Sequence, residues 1–166
     1  MGVGQNLKFE RRFSDGSDVY DLPMRSLDAK IEGSGGKVIY EQPDVLVPED
    51  WSDQAARIVA SKYFKEGRKG VEKENDVRQL VRRVVDTVSD QGQKQGYFSG
   101  KTAEVFRDEL AFLVLGQYAS FNSPVWFNVG LENRGFDRKE DERFHFAYDP
   151  HTGEFTNEIN LIDRPQ

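Results

Sequence analysis

The sequence contains no cysteine, so it has no disulfide, no thiolate metal ligand and no sulfur nucleophile. Any redox chemistry it serves must draw its sulfur from elsewhere. Histidine is almost as scarce: His145 and His151 are the only two, a very small pool for a zinc site or a Ser-His-Asp triad. No run approaches the roughly 18 apolar residues of a membrane span, and the N-terminus lacks the apolar core of a secretory signal. Excess positive charge is missing too. With 23 Lys plus Arg against 29 Asp plus Glu the formal charge is −6, which gives no electrostatic basis for gripping nucleic acid or an anionic membrane. A cytoplasmic chain that binds neither, and is a poor candidate for a self-sufficient enzyme, is the reading these absences favour.

What the chain does have is aromatic residues: 12 Phe, 6 Tyr and 2 Trp among 166, enough to build a core. Residues 1–26 scatter Leu7, Phe9, Phe13 and Leu22 without a sustained period and predict an arm, loosely ordered until it meets a partner surface. From Ala29 to Val47, β-branched runs flank Gly33-Ser-Gly-Gly36 and predict a hairpin closed by Pro43 and Pro48. Asp50 can cap a helix starting at Trp51, with Ala55, Ile58, Val59 and Tyr63 at helical steps. After a break at Gly67 to Gly70, a second helix is expected from Asn75 or Asp76 to Gly92 or Gly96, with Val77, Leu80, Val81, Val84, Val85 and Val88 as its stripe. Thr102 opens a third, carrying Val105, Phe106, Leu110, Leu113 and Val114 to about Gly116 or Tyr118. The expected divisions are therefore 1–48, arm and hairpin; 49–118, helical; and 119–166, a separate continuation. Within the last, Phe144 to Glu154 alternates into a turn-rich passage that suits two short strands.

Several features invite a functional reading and support only a structural one. His145 and His151 lack a carboxylate cluster at metal spacing, so no metal is assigned. Arg82 and Arg83, flanked by acidic residues on a helix, read as a solvated face together with Arg78 and Asp86. Gly33-Ser-Gly-Gly36 lacks the Lys-Ser/Thr tail of a phosphate-binding loop. Asp108 and Glu109, adjacent on a helix, point about 100° apart and cannot face one another as an acid/base pair.

The segment Phe121-Asn-Ser-Pro-Val-Trp-Phe-Asn-Val-Gly130 resembles the Ser/Thr-Pro-x-x-Phe-Asn-x-Gly motif of ribonucleotide reductases, in the version found in adenosylcobalamin (vitamin B12)-dependent class II enzymes. Trp51 to Phe64, Val77 to Val88, Gln95-Gly-Tyr-Phe98 and Phe106-Arg-Asp-Glu-Leu110 resemble the N-terminal helical region of the same group, in the same order. The resemblance covers roughly residues 38–166 and implies a mainly α fold with a small β-hairpin, leading into the first part of the family's ten-stranded α/β barrel at residues 119–166. It also implies that Ser123 contacts the nucleotide substrate. A hydroxyl beside a helix-breaking proline can hold a diphosphate or ribose oxygen without net positive charge. The Val-Trp-Phe run behind it reads as packing.

The resemblance implies the activity of the complete family enzyme: reduction of ribonucleotides, by expectation diphosphates, to 2′-deoxyribonucleotides. In that enzyme adenosylcobalamin generates a cysteine thiyl radical, which abstracts the ribose 3′-hydrogen while two cysteines reduce the 2′-carbon. None of those groups is in this sequence, and no residue here is identifiable as binding cobalamin. Arg164-Pro-Gln166 stops where the family continues into a cysteine-bearing strand, so an N-terminal piece is expected; an intein, a split gene, a truncation and a partial gene model all fit that ending. Implied partners are the ribonucleotide, the cysteine-bearing C-terminal part, a thioredoxin-type reductant, dNTP effectors and a second subunit in a homodimer. The alternative is a non-enzymatic helical docking module, or a decayed remnant, that binds reductase subunits.

Overall fold

In a computed structural model the chain is described over residues 7–67, 71–131, 147–148 and 155–156. Two compact units result, residues 1–136 and 137–166. In the first unit, strands β1 (Met24–Glu32) and β2 (Val38–Pro48) form an antiparallel hairpin, followed by helices α1 (Asp53–Tyr63), α2 (Val77–Lys94), α3 (Lys101–Leu115) and α4 (Ser123–Asn128). In the second, β3 (Ala147–Tyr148) pairs antiparallel with β4 (Phe155–Thr156), as the alternation there predicts. The fold is mainly helical with a small antiparallel hairpin.

The hairpin turns through a short 3-10 segment at Ser34–Gly36, where Gly35 and Gly36 have φ of +78° and +77°, angles that suit glycine. Pro43 lies inside β2 rather than closing it. The register skips between Leu27 and Ala29, and across from it Asp44 adopts φ +53° and donates its N–H to the Asp28 carboxylate. A bulge of this kind is where a strand tolerates a proline, which has no N–H for the ladder. Val45, Val47 and Ala29 then face inward and are fully buried.

Helix α1 is capped by Ser52, whose hydroxyl accepts from the Ala55 N–H at 3.2 Å, and not by Asp50. Trp51 consequently precedes the helix; it is buried, and its indole N–H donates to the Leu115 carbonyl at the end of α3 at 2.7 Å. Ile58, read as part of the apolar stripe, is 40% exposed. Helix α2 follows the sequence closely: Asp76 and Gln79 form a reciprocal capping box, and Val77, Leu80, Val81, Val84 and Val85 are buried against Ala56, Ala60, Ala111 and Val114.

The arm is docked. Glu109 of α3 accepts from the backbone N–H groups of Arg12, Phe13 and Ser14 at 2.8, 2.9 and 2.8 Å and from the Ser14 hydroxyl at 2.6 Å. Asp108 holds the Arg11 guanidinium at 2.7 Å. Phe9 sits against Phe98 and Phe106, with ring centroids 5.5 and 5.0 Å away. The expected partner surface for residues 7–22 is thus within the chain itself. Asp108 and Glu109 do not act on each other, as their spacing requires; each anchors a different part of the arm.

Candidate functional site

Ser123 opens α4. Asn122 is the N-cap, its side-chain oxygen accepting from the Val125 N–H at 3.4 Å, and Pro124 occupies the first turn, where a missing N–H costs nothing. The proline expected to break a helix therefore begins one. The half-buried Ser123 hydroxyl lies 3.1 Å from the Tyr63 hydroxyl at the end of α1. Trp126 is buried, its ring edge-on to Phe121 at 5.2 Å and 6.3 Å from Tyr63, so it packs as expected. Phe127 is 37% exposed, and residues 116–120 are exposed throughout, with Tyr118 at 73%.

Behind α4 lies an ion pair with no solvent contact. The Arg83 and Glu74 side chains are both fully buried, with Nε 3.0 Å from Oε1. The remaining guanidinium donors point to backbone carbonyls: Trp126 at 3.2 Å, Val129 at 2.7 Å and Tyr63 at 3.5 Å. Glu74 also accepts from the Lys65 N–H at 2.9 Å, and its own carbonyl accepts from the Gln42 amide at 2.8 Å. Both charges of the pair are satisfied, as burial demands. The solvated-face expectation for Arg83 is corrected here: Glu74 and α4 cover that flank of α2. Arg82 is exposed, as expected, and its guanidinium lies 3.7 Å from the Tyr20 ring centroid. Arg78 grips Asp76 at 2.6 Å.

Gly130 makes this closeness sterically possible. Its φ is +76°, and a Cβ there would meet the Arg83 carbonyl oxygen and lie 2.7 Å from the Thr87 hydroxyl. Only glycine lets the chain leaving α4 run against the α2 backbone.

Two cavities border this region. One of about 150 Å³ is lined by Trp51, Val59, Tyr63, Val114, Ser120 and Trp126 among others. A wider one of about 420 Å³ lies between the arm and the end of α3, rimmed by Asp15, Asp18, Asp21 and Asp50. Among the described residues no group of three or more His, Cys, Asp or Glu is placed to hold a metal, and no helix is long and apolar enough to cross a membrane. His145 and His151 lie outside the described residues. No residue among those described is identified with binding cobalamin, and no step is assigned through it.

Of the site residues expected from the sequence, Ser123 is brought into this assembly, beside the Tyr63 hydroxyl. Tyr63 was legible as an apolar helix position but not as a hydroxyl partner. Arg83 and Glu74 carry no local signal of burial; the one available hint is that both come from segments that also resemble, or adjoin, the family's helical region.

Residues 25–117 match the family model described as class II vitamin B12-dependent ribonucleotide reductase. A vitamin B12-dependent ribonucleotide reductase of Rhodopirellula baltica is 44% identical over 135 residues, covering 78% of this chain and 13% of the relative. One from Streptomyces clavuligerus is 45% identical over 96 residues, 57% of this chain and 10% of the relative. Another from Agrobacterium fabrum is 29% identical across 96% of this chain and 15% of its own length. The chain thus spans 10 to 15% of the length of these curated relatives. The chain belongs to the class II vitamin B12-dependent ribonucleotide reductase family, as an N-terminal segment of it.

Proposed function

We propose that this chain supplies the helical scaffold and one substrate contact of a ribonucleotide reductase whose cysteines lie on further polypeptide. The contact is Ser123. The observation that carries this reading is the hydroxyl pair: Tyr63 lies 3.1 Å from Ser123, on a short helix whose backbone is held from behind. When Tyr63 donates to Ser123 Oγ, the Ser123 proton is left to donate to an oxygen of the ribonucleotide, by family analogy a diphosphate. Hydrogen bonds to an ionised acceptor are the stronger ones. A neutral hydroxyl suits a chain whose formal charge is −6.

Reduction of the ribose needs thiols, and this sequence has none. The cysteine thiyl radical, the reducing cysteine pair, the cobalamin site, the thioredoxin-type reductant, the dNTP effectors and a homodimeric assembly in the cytoplasm belong, on this reading, to the complete enzyme. Residues 119–166 are read as the start of its barrel. The exposed run from Gly116 to Ser120, with Tyr118 and Phe127 beyond the core, favours a chain that continues into a partner surface over a free-standing docking module. The test is reconstitution: deoxyribonucleotide should form from the chain joined to a cysteine-bearing remainder, and not from the 166 residues alone. Turnover by the chain alone would overturn the proposal.

A further inference from the structure

We infer that Arg83 is a positioning residue for the substrate contact: its buried guanidinium, held by Glu74, sets where the Ser123 helix sits. The inference rests on the reading of Ser123 as that contact. Helix α4 has six residues, too few to be stable alone, and the carbonyls at its C-terminal end have no partners within the helix. Arg83 fills them. One planar group donates to the carbonyls of Trp126 on α4, of Val129 just after it and of Tyr63 on α1, and Tyr63 carries the hydroxyl that meets Ser123. Both ends of the hydroxyl pair are therefore referenced to the same guanidinium.

Glu74 fixes the guanidinium in turn. One oxygen takes Nε at 3.0 Å and the other takes Nη2 at 3.5 Å as well as the Lys65 N–H at 2.9 Å, so the guanidinium is held at two points. Gly130 seals the arrangement by bringing the exit of α4 against the Arg83 carbonyl. Stability alone does not call for this pair, since well-packed apolar residues replace buried ion pairs at little or no loss. What apolar residues cannot supply is donors for the carbonyls of Trp126 and Val129. A lysine cannot span the same acceptors either, because its ammonium lacks the flat fork.

The test uses the Glu74→Met/Arg83→Met double variant, which removes both charges together, beside Ser123→Ala. Hydrogen exchange on the chain should show the amides of Val125, Trp126 and Val129 about tenfold faster, the scale of one lost hydrogen bond, with α2 and α3 amides unchanged. In the assembled reductase, KM for cytidine diphosphate should rise about tenfold as in Ser123→Ala, with kcat within about twofold. If the double variant does not fold, Arg83→Lys, which keeps a charge opposite Glu74, carries the same readouts. Unchanged α4 exchange overturns the inference, and so does an unchanged KM where Ser123→Ala raises it. A Ser123→Ala variant with unaltered KM overturns the substrate-contact reading instead, and the exchange result then decides separately whether Arg83 places the helix.

Discussion

Replacing Glu109 with Gln should loosen the N-terminal arm and little else. The carboxylate accepts four hydrogen bonds from Arg12, Phe13 and Ser14. Partial desolvation pushes its pKa up, but the Ser14 hydroxyl and the three backbone amides outweigh that and draw it down to about 2 from 4.5. Taken at face value that shift corresponds to about 3 kcal/mol of linkage. The carboxylate is partly open to solvent, so about 1 to 2 kcal/mol is the realistic share, or about a 5- to 30-fold change in arm docking.

The sign follows from the depressed pKa. Stabilisation is complete above pH 4.5 and disappears as pH falls through about 2. Hydrogen exchange over residues 12–14 reads the docking directly. At neutral pH the Glu109→Gln amides should exchange about 5- to 30-fold faster than wild type, and near pH 2 the two proteins should become alike. Equal exchange at neutral pH would refute the assignment of Glu109 as the anchor, and so would a gap that widens on acidification.

Other perturbations test the core and the site. Arg83→Met alone strands the Glu74 carboxylate in a site with no solvent contact and should cost about 3 to 5 kcal/mol in chemical denaturation; the Glu74→Met/Arg83→Met pair should recover the part due to the stranded charge, while the Trp126 and Val129 carbonyls stay without donors. Gly130→Ala combines a positive φ with a Cβ driven into the Arg83 carbonyl, so its denaturation midpoint should fall by the equivalent of about 2 kcal/mol or more. Trp51→Phe removes the indole N–H that donates to the Leu115 carbonyl at 2.7 Å and should cost about 1 to 3 kcal/mol, read from a thermal melt.

The sequence made the long helices legible and the contacts between distant segments illegible. Helix α2 announces itself because Val77, Leu80, Val81, Val84 and Val85 repeat at helical spacing and are all buried. The hairpin was visible in its glycine turn, yet Pro43 misled: a proline reads as a strand end until a bulge is known to hold it. Ser52 and Asp50 are both good caps two residues apart, and local chemistry does not choose between them.

Arg83 looked solvated because the residues that bury it, Tyr63, Glu74 and the pair Trp126 and Val129, come from three other stretches of chain. The arm looked unanchored for the same reason, its partners Asp108 and Glu109 lying about a hundred residues on. At the candidate site, Ser123 was found through a motif. Its partner Tyr63 was hidden because a tyrosine at an apolar helix position shows its ring in the pattern and not its hydroxyl.

The most direct test of the account is the affinity of the assembled reductase for cytidine diphosphate, measured by equilibrium dialysis with Ser123 intact and with Ser123→Ala. The account predicts a loss of about 1 to 3 kcal/mol, or about 5- to 150-fold in Kd, with the thermal midpoint unchanged. An unchanged Kd accompanied by a lower melting temperature would contradict it and leave Ser123 a structural residue.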